Sequence, residues 1–198
     1  MLLRVHRFLP TTKVEGPGIR ACIQVQGCPI HCAGCAVPFT WPEDGGFTMG
    51  VDQLAEQILQ GPAIEGVTFL GGEPFAQAQA LARLGKILKQ EGLSVMTFTG
   101  YLLENLQQSG NQDYLDLLAI TDLLIDGPFQ IEHLDTSRPW VGSSNQRYHF
   151  LTERYLHLKE RMTDIPNRLE VRLTPDGRVM VNGLAEVGDL KDLFRGLL

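Results

Sequence analysis

From Ile19 to Gln26 apolar and polar side chains alternate without a break, Ile19, Ala21, Ile23 and Val25 against Arg20, Cys22, Gln24 and Gln26. A period of two predicts a strand with two unlike faces, ending at Gly27. Val51, Leu54, Ala55, Ile58 and Leu59 follow helical spacing and predict a one-sided amphipathic helix, stopped by Gly61-Pro62. Val67-Thr68-Phe69-Leu70 is the short apolar run of a buried parallel strand. Leu81, Leu84 and Leu88 form one stripe of a second helix over about residues 75–91, which Gly92 stops. Residues 93–98 read as a third strand, and a helical stretch around Tyr114, Leu117 and Leu118 leads to a fourth at 122–126. Residues 147–151 read as a further strand, 169–173 and 178–181 as a hairpin, and 186–197 as a short closing helix.

The regular β-α-β alternation predicts an α/β fold, a parallel sheet with helices outside. In such sheets binding sites gather at the C-terminal ends of the strands. The uncommon residues fall there. A cysteine run follows the first strand, Gly71-Gly72-Glu73-Pro74 the second, Thr99-Gly100-Tyr101 the third and Asp126-Gly127 the fourth. The polar face of the first strand suits a barrel interior open enough to receive a substrate.

The 198 residues suit a single domain with a substantial core. A net charge of -6 argues against nucleic acid as the main partner. No apolar run approaches membrane-spanning length. The first residues are too short and too charged for a signal peptide. The expectation is a cytoplasmic protein with no nucleic-acid or membrane partner.

Cys28, Cys32 and Cys35 lie within eight residues, spaced C-x3-C-x2-C. Thiolates gathered so tightly are soft ligands for an iron–sulfur cluster or for zinc. A four-iron cubane needs four ligands and the loop offers three, so one iron would stay open to a non-protein group. A zinc site would recruit Cys22 as a fourth sulfur. Disulfides suit an oxidising compartment, which four cysteines and no leader do not suggest. The spacing favours iron–sulfur and leaves the other two standing behind it. Cys22, fixed within a strand, reads as a small buried residue. His31 reads as a loop residue between ligands, and Trp41 and Tyr101 as aromatic packing.

C-x3-C-x2-C after the first strand and Gly-Gly-Glu-Pro after the second resemble the radical S-adenosylmethionine (SAM) superfamily. Val14-Glu15-Gly16-Pro17-Gly18-Ile19-Arg20, Thr40-Trp41, Phe98-Thr99-Gly100-Tyr101, Asp126-Gly127-Pro128-Phe129 and Gly142-Ser143-Ser144-Asn145-Gln146 narrow the resemblance to activating proteins of glycyl-radical enzymes, the anaerobic ribonucleotide reductase activators above all. The match runs from about Phe8 to Phe150. The family usually carries His or Tyr and then Asn after the third cysteine; Ala36 and Val37 stand there.

The resemblance implies a partial (β/α)6-type barrel over residues 8–150, with a C-terminal extension over 151–198. It implies a [4Fe–4S] cluster on Cys28, Cys32 and Cys35, with SAM on the open iron. It implies SAM contacts from Gly71, Gly72, Glu73, Thr97 or Thr99, and Asp126, the last facing the cation side of SAM or a monovalent metal. The expected chemistry is reductive cleavage of SAM to a 5′-deoxyadenosyl radical that abstracts hydrogen from a glycine. The expected partners are a large glycyl-radical enzyme and, as electron donor, flavodoxin or ferredoxin.

Two other readings compete. One is a radical SAM tailoring enzyme for a small molecule or peptide. All four cysteines precede residue 36, so the auxiliary-cluster domain common in peptide tailoring is not expected. The other is a non-catalytic iron–sulfur electron carrier, which would have no use for Gly-Gly-Glu or an open iron.

Overall fold

The computed structural model describes residues 1–174, 176–184 and 195. It opens with a strand the periodicity did not predict, β1 (Leu2–Thr12). β1 buries Leu3, Val5 and Leu9, but register shifts between Val5 and Arg7 and between Leu9 and Thr12 break the period of two. It pairs antiparallel with β2 (Arg20–Val25) and with β3 (Phe47–Gly50). Helix α1 (Val51–Leu59) follows, burying the predicted Val51, Leu54, Ala55 and Ile58. Then come β4 (Gly66–Gly71), α2 (Ala78–Gln90) and β5 (Ser94–Phe98). The helical stretch expected next divides into α3 (Leu103–Gln108) and α4 (Gln112–Ile120). Gly110, at φ +68°, lets the chain turn between them, and the Asn111 side chain accepts the Asp113 N–H to start α4. Strands β6 (Leu123–Asp126) and β7 (Arg147–Phe150) complete the sheet.

The seven strands lie in the order β3-β1-β2-β4-β5-β6-β7. β2, β4, β5 and β6 run parallel, joined by the predicted crossovers. β7 is antiparallel to β6. Among the described residues the parallel set is therefore four strands with antiparallel edges, where the resemblance implied six βα units. The hairpin of β8 (Leu169–Leu173) and β9 (Val179–Gly183) forms a separate small sheet. It is tied to the body where the Thr12 hydroxyl donates to Glu170 and the Gly183 N–H to Glu15. The closing helix expected at 186–197 lies outside the described residues, Arg195 excepted. Among the described residues no helix is long and apolar enough to cross a membrane.

The two faces of the sheet differ as the alternation requires. Ala21, Ile23, Val25, Val67, Phe69, Val95 and Leu124 pack with Leu81, Leu84 and Leu88 of α2 in the main core. Each such leucine, fully buried, contributes roughly 1.5–3 kcal/mol. Met96, Leu123 and Ile125 form a second cluster with Val141 and Tyr155. The polar residues of β2 are covered, which corrects the expectation of an open interior along that strand. Arg20 is fully buried, and its guanidinium donates to Thr68 Oγ1 (2.8 Å), Tyr155 Oη (2.7 Å), Ser94 Oγ (3.0 Å) and the Pro17 carbonyl (3.0 Å). Neutral acceptors, the Val67 and Ser94 carbonyls among them, thus surround one cation near the N-terminal end of the sheet. The cysteine cleft lies at the other end.

Candidate active site

Strand ends make this site. β2 runs out at Val25, and Gln26-Gly27 carries the chain into the cysteine loop with Gly27 at φ +93°. The loop is pinned at its root, where Gly27 N–H donates to the Thr40 carbonyl (2.8 Å) and Cys28 N–H to the Trp41 carbonyl (3.1 Å). Cys28, Cys32 and Cys35 line one open cleft with a cavity volume of about 170 Å³. Opposite them stand Gly71, Gly72 and Glu73 from the tip of β4, Phe98, Thr99 and Gly100 from the tip of β5, and Gly127, Phe129 and Gln146.

The three thiols are half-buried and free. Burial pushes the Cys28 and Cys32 thiols up. Backbone N–H groups work the other way, from His31 and Ile30 toward Cys28 and from Phe129 toward Cys32. Val37 N–H donates to Cys35 Sγ at 3.4 Å. The Cys35 sulfur thus meets an amide donor, and nearby amides favour the thiolate at Cys28 and Cys32, as suits anionic sulfur in a cluster site. Among the described residues no three His, Cys, Asp or Glu side chains, the three cysteines included, are gathered closely enough to hold a metal ion as they stand. Cys22 stays inside β2, between Leu9 of β1 and Thr68 of β4, fully buried and away from the cleft. A zinc site using it as fourth ligand does not fit, whereas three thiols around a cleft with room beside them fit a three-cysteine cluster. His31 stacks on Trp41, centroids 4.6 Å apart, as a loop residue.

Glu73 is the most constrained group here. It is 1% exposed. Its Oε1 accepts the Phe75 N–H and the Thr99 hydroxyl, each at 2.9 Å, and its Oε2 accepts the Gly100 N–H at 2.9 Å. Burial pushes its carboxyl up to about 7 against the pull of those three donors. Glu73 therefore locks the tip of β4 to the tip of β5 and holds a proton that can leave near neutral pH.

The glycines before it have a reason the sequence reading missed. A Cβ on Gly72 would lie 2.2 Å from the Gly27 carbonyl oxygen, and one on Gly71 2.6 Å from the Val25 amide nitrogen. Their first service is to let the β4 tip pack on the root of the cysteine loop, where Gly72 N–H donates to Val25 O and Glu73 N–H to Gly27 O, both at 2.8 Å.

Two expected contacts fall elsewhere. Thr97 is fully buried on the helix-facing side of β5, and its hydroxyl pairs with Thr121 at 2.9 Å. It does not line the cleft; Thr99, beyond the strand end, does. Asp126 also lies outside the cleft lining. Its carboxylate accepts the Leu103 N–H (2.7 Å) at the start of α3 and the guanidinium of Arg147 (2.9 Å), with His149 Nε2 at 3.0 Å. Burial pushes its carboxyl up, but His149, Arg147 and Leu103 outweigh it and hold it well below the usual carboxylate range. A carboxylate so engaged joins β6, β7 and α3 and is not placed to meet a ligand in the cleft. Conversely Trp41, read as packing, lines the cleft. So does Gln146, held by Gly142 N–H on its Oε1 (2.8 Å).

This chain belongs to the family of 4Fe–4S single cluster domains, whose family model matches residues 14–149. Its relatives specify the branch. The anaerobic ribonucleoside-triphosphate reductase-activating protein of Escherichia coli K12 is 30% identical over 157 residues, covering 75% of this chain and 99% of that protein. The protein of that name from Vibrio cholerae is 32% identical over 158 residues, covering 76% and 99%. The pyruvate formate-lyase-activating enzyme of Clostridium pasteurianum is 33% identical over 138 residues, covering 67% of this chain and 53% of that enzyme. The resemblance to radical SAM activating enzymes drawn from the motifs stands on these matches.

Proposed function

We propose that this chain is a glycyl-radical-enzyme activase acting on an anaerobic ribonucleotide reductase. What supports the reading is the single cleft in which three cysteines from one loop face the Gly71–Glu73 and Thr99–Gly100 walls. Cys28, Cys32 and Cys35 would hold a [4Fe–4S] cluster. With SAM bound, that group supplies reductive cleavage of SAM to methionine and a 5′-deoxyadenosyl radical, which takes a hydrogen atom from substrate.

The residues of the chain bind and orient. Glu73 offers a carboxylate to the SAM ammonium, and the approaching cation favours loss of the Glu73 proton. Thr99 and Gly100 set the position of that carboxylate. Phe98 and Phe129 give the cleft apolar walls that keep water from a reactive species. Thr97 and Asp126 are left out of the SAM contacts. Residues 1–198 form one domain in this reading, its core a partial barrel. With one cluster the protein needs an external one-electron donor of the flavodoxin or ferredoxin kind, as the cytoplasm provides.

The test is paramagnetic resonance. The reconstituted protein is incubated without oxygen with SAM, a reductant and the anaerobic reductase of the same organism. A glycyl doublet on the reductase, absent with Cys32→Ala, is expected. No doublet from a protein that holds its cluster and cleaves SAM refutes the choice of partner.

A further inference from the structure

Asp126-Gly127-Pro128-Phe129 and Gly142-Ser143-Ser144-Asn145-Gln146 both carry the resemblance, yet only Phe129 has a part in the proposed chemistry. The fold brings the two stretches together at the cleft, which Gly127, Phe129 and Gln146 line. The ladder between β6 and β7 ends at Asp126 opposite Arg147. Beyond that pair the carbonyls at the tip of β6 need other partners.

Asn145 and Gln146 supply them from their side chains. Asn145 Nδ2 donates to the Pro128 carbonyl at 2.7 Å, and Gln146 Nε2 to the Gly127 carbonyl at 3.2 Å. The other end of the Gln146 amide accepts, its Oε1 taking the N–H of Gly142 (2.8 Å) and of Ser143 (3.3 Å). A carbonyl on one side and two N–H groups on the other match a carboxamide. A carboxylate fails the carbonyl, and a hydrocarbon fails both.

Gly142 is where this clamp meets the cleft wall. The Phe129 ring lies so close that a Cβ on Gly142 would stand 3.1 Å from its Cδ2 and 3.2 Å from its Cε2. One amide therefore holds the backbone two residues before Phe129 and the shelf against which its ring rests.

We propose that Gln146 is a positioning residue that sets the Phe129 wall against SAM in the cleft. The assignment rests on the proposed function only in taking SAM as the ligand. Gln146 serves SAM through the ring of Phe129, and its own polar atoms stay on the backbone of this chain.

The test is a double-mutant cycle on SAM affinity. Equilibrium dialysis is run on the full-length protein with its cluster reconstituted and its iron content matched between variants. Phe129→Ala and Gln146→Leu should each weaken SAM binding about tenfold, and the double variant no more than Phe129→Ala alone, since no ring is left to set. Gly142→Ala reaches the same ring by another route, by pushing it. It should weaken binding in the unaltered protein and change nothing in the Phe129→Ala protein. Should Gln146→Leu fail to fold, Gln146→Glu takes its place in the cycle, keeping the acceptor for Gly142 and losing the donor to Gly127. Losses that multiply in the double variant overturn the proposal, because Gln146 then meets SAM itself or acts elsewhere. Unchanged affinity in the Gln146 variant overturns it as well. Release of 5′-deoxyadenosine, read in separate samples, keeps the two readings apart. A protein whose SAM affinities follow the cycle but which leaves SAM whole refutes the proposed function and upholds the role of Gln146. A protein that holds its cluster and binds no SAM overturns both.

Discussion

Removing the charge of Glu73 tests how the cleft is built. Glu73 is buried, accepts three hydrogen bonds, and has its carboxyl pushed from the ordinary 4.5 to about 7 by burial. Between those two pH values the folded chain keeps a proton that the unfolded chain has lost. Stability from this group is therefore fully present below about 4.5, falls as pH rises through 7, and is flat above. At about 1.36 kcal/mol per pKa unit, the fall amounts to roughly 3 kcal/mol. Glu73→Gln is neutral throughout. It keeps an oxygen for Phe75 and Thr99 but turns an NH₂ toward the Gly100 N–H, a mismatch costing about 1–3 kcal/mol at every pH. Urea denaturation of the cluster-free protein, kept reduced, at pH 5, 6, 7 and 8 gives the difference between wild type and variant. That difference should shrink by roughly 2–3 kcal/mol from pH 5 to pH 8. A difference constant to about 0.5 kcal/mol, or one that grows with pH, refutes the reasoning.

SAM affinity should strengthen as pH rises through about 7, as Glu73 loses its proton, with proton uptake by the buffer on binding; calorimetry in buffers of different ionisation enthalpy reads it. Ala in place of Cys28, Cys32 or Cys35 should each abolish the iron signal, while Cys22→Ala, deep in β2, leaves iron content unchanged. Thr97→Val should lose about 1 kcal/mol of stability with the Thr121 hydrogen bond and leave SAM binding unaltered by equilibrium dialysis. Asp126→Asn should cost about 1–3 kcal/mol at neutral pH, because an NH₂ replaces one of the oxygens that accept from Leu103 N–H and Arg147; Arg147, two-fifths exposed, keeps Glu104. The stability this carboxylate provides is present above its unfolded pKa near 4 and is lost as pH falls below it; acid titration of the two proteins compares them.

The elements that alternate or repeat cleanly were readable from the chain. β2, α1, β4, α2, β5 and β6 sit within a few residues of their predicted spans, because each buries one face and the period records that burial. β1 escaped because its register shifts carry Arg7 and Phe8 out of phase with Leu3 and Val5. The edge strand β3 buries no residue fully and leaves no apolar period. The cysteine loop, Glu73 and Thr99 come together along one cleft, since a residue just past a parallel strand has one end of the sheet to go to. Thr97 was misplaced by parity. It shares a face with Val95, against the helices, and only beyond Phe98 does the chain leave the sheet and free Thr99 to reach the cleft. Asp126 was misplaced because its partners, Arg147 and the start of α3, come together only in three dimensions. The same holds for the glycines of Gly71-Gly72, whose hydrogens face the backbone of β2 and its turn.

The central claim is a cluster with one open iron, and SAM cleavage measures it directly. Protein reconstituted without oxygen, given a strong reductant and SAM, should contain about four irons per chain and release 5′-deoxyadenosine and methionine in equal amounts, with Cys32→Ala releasing none. Zinc in place of iron, or an intact cluster that leaves SAM whole, would contradict the account.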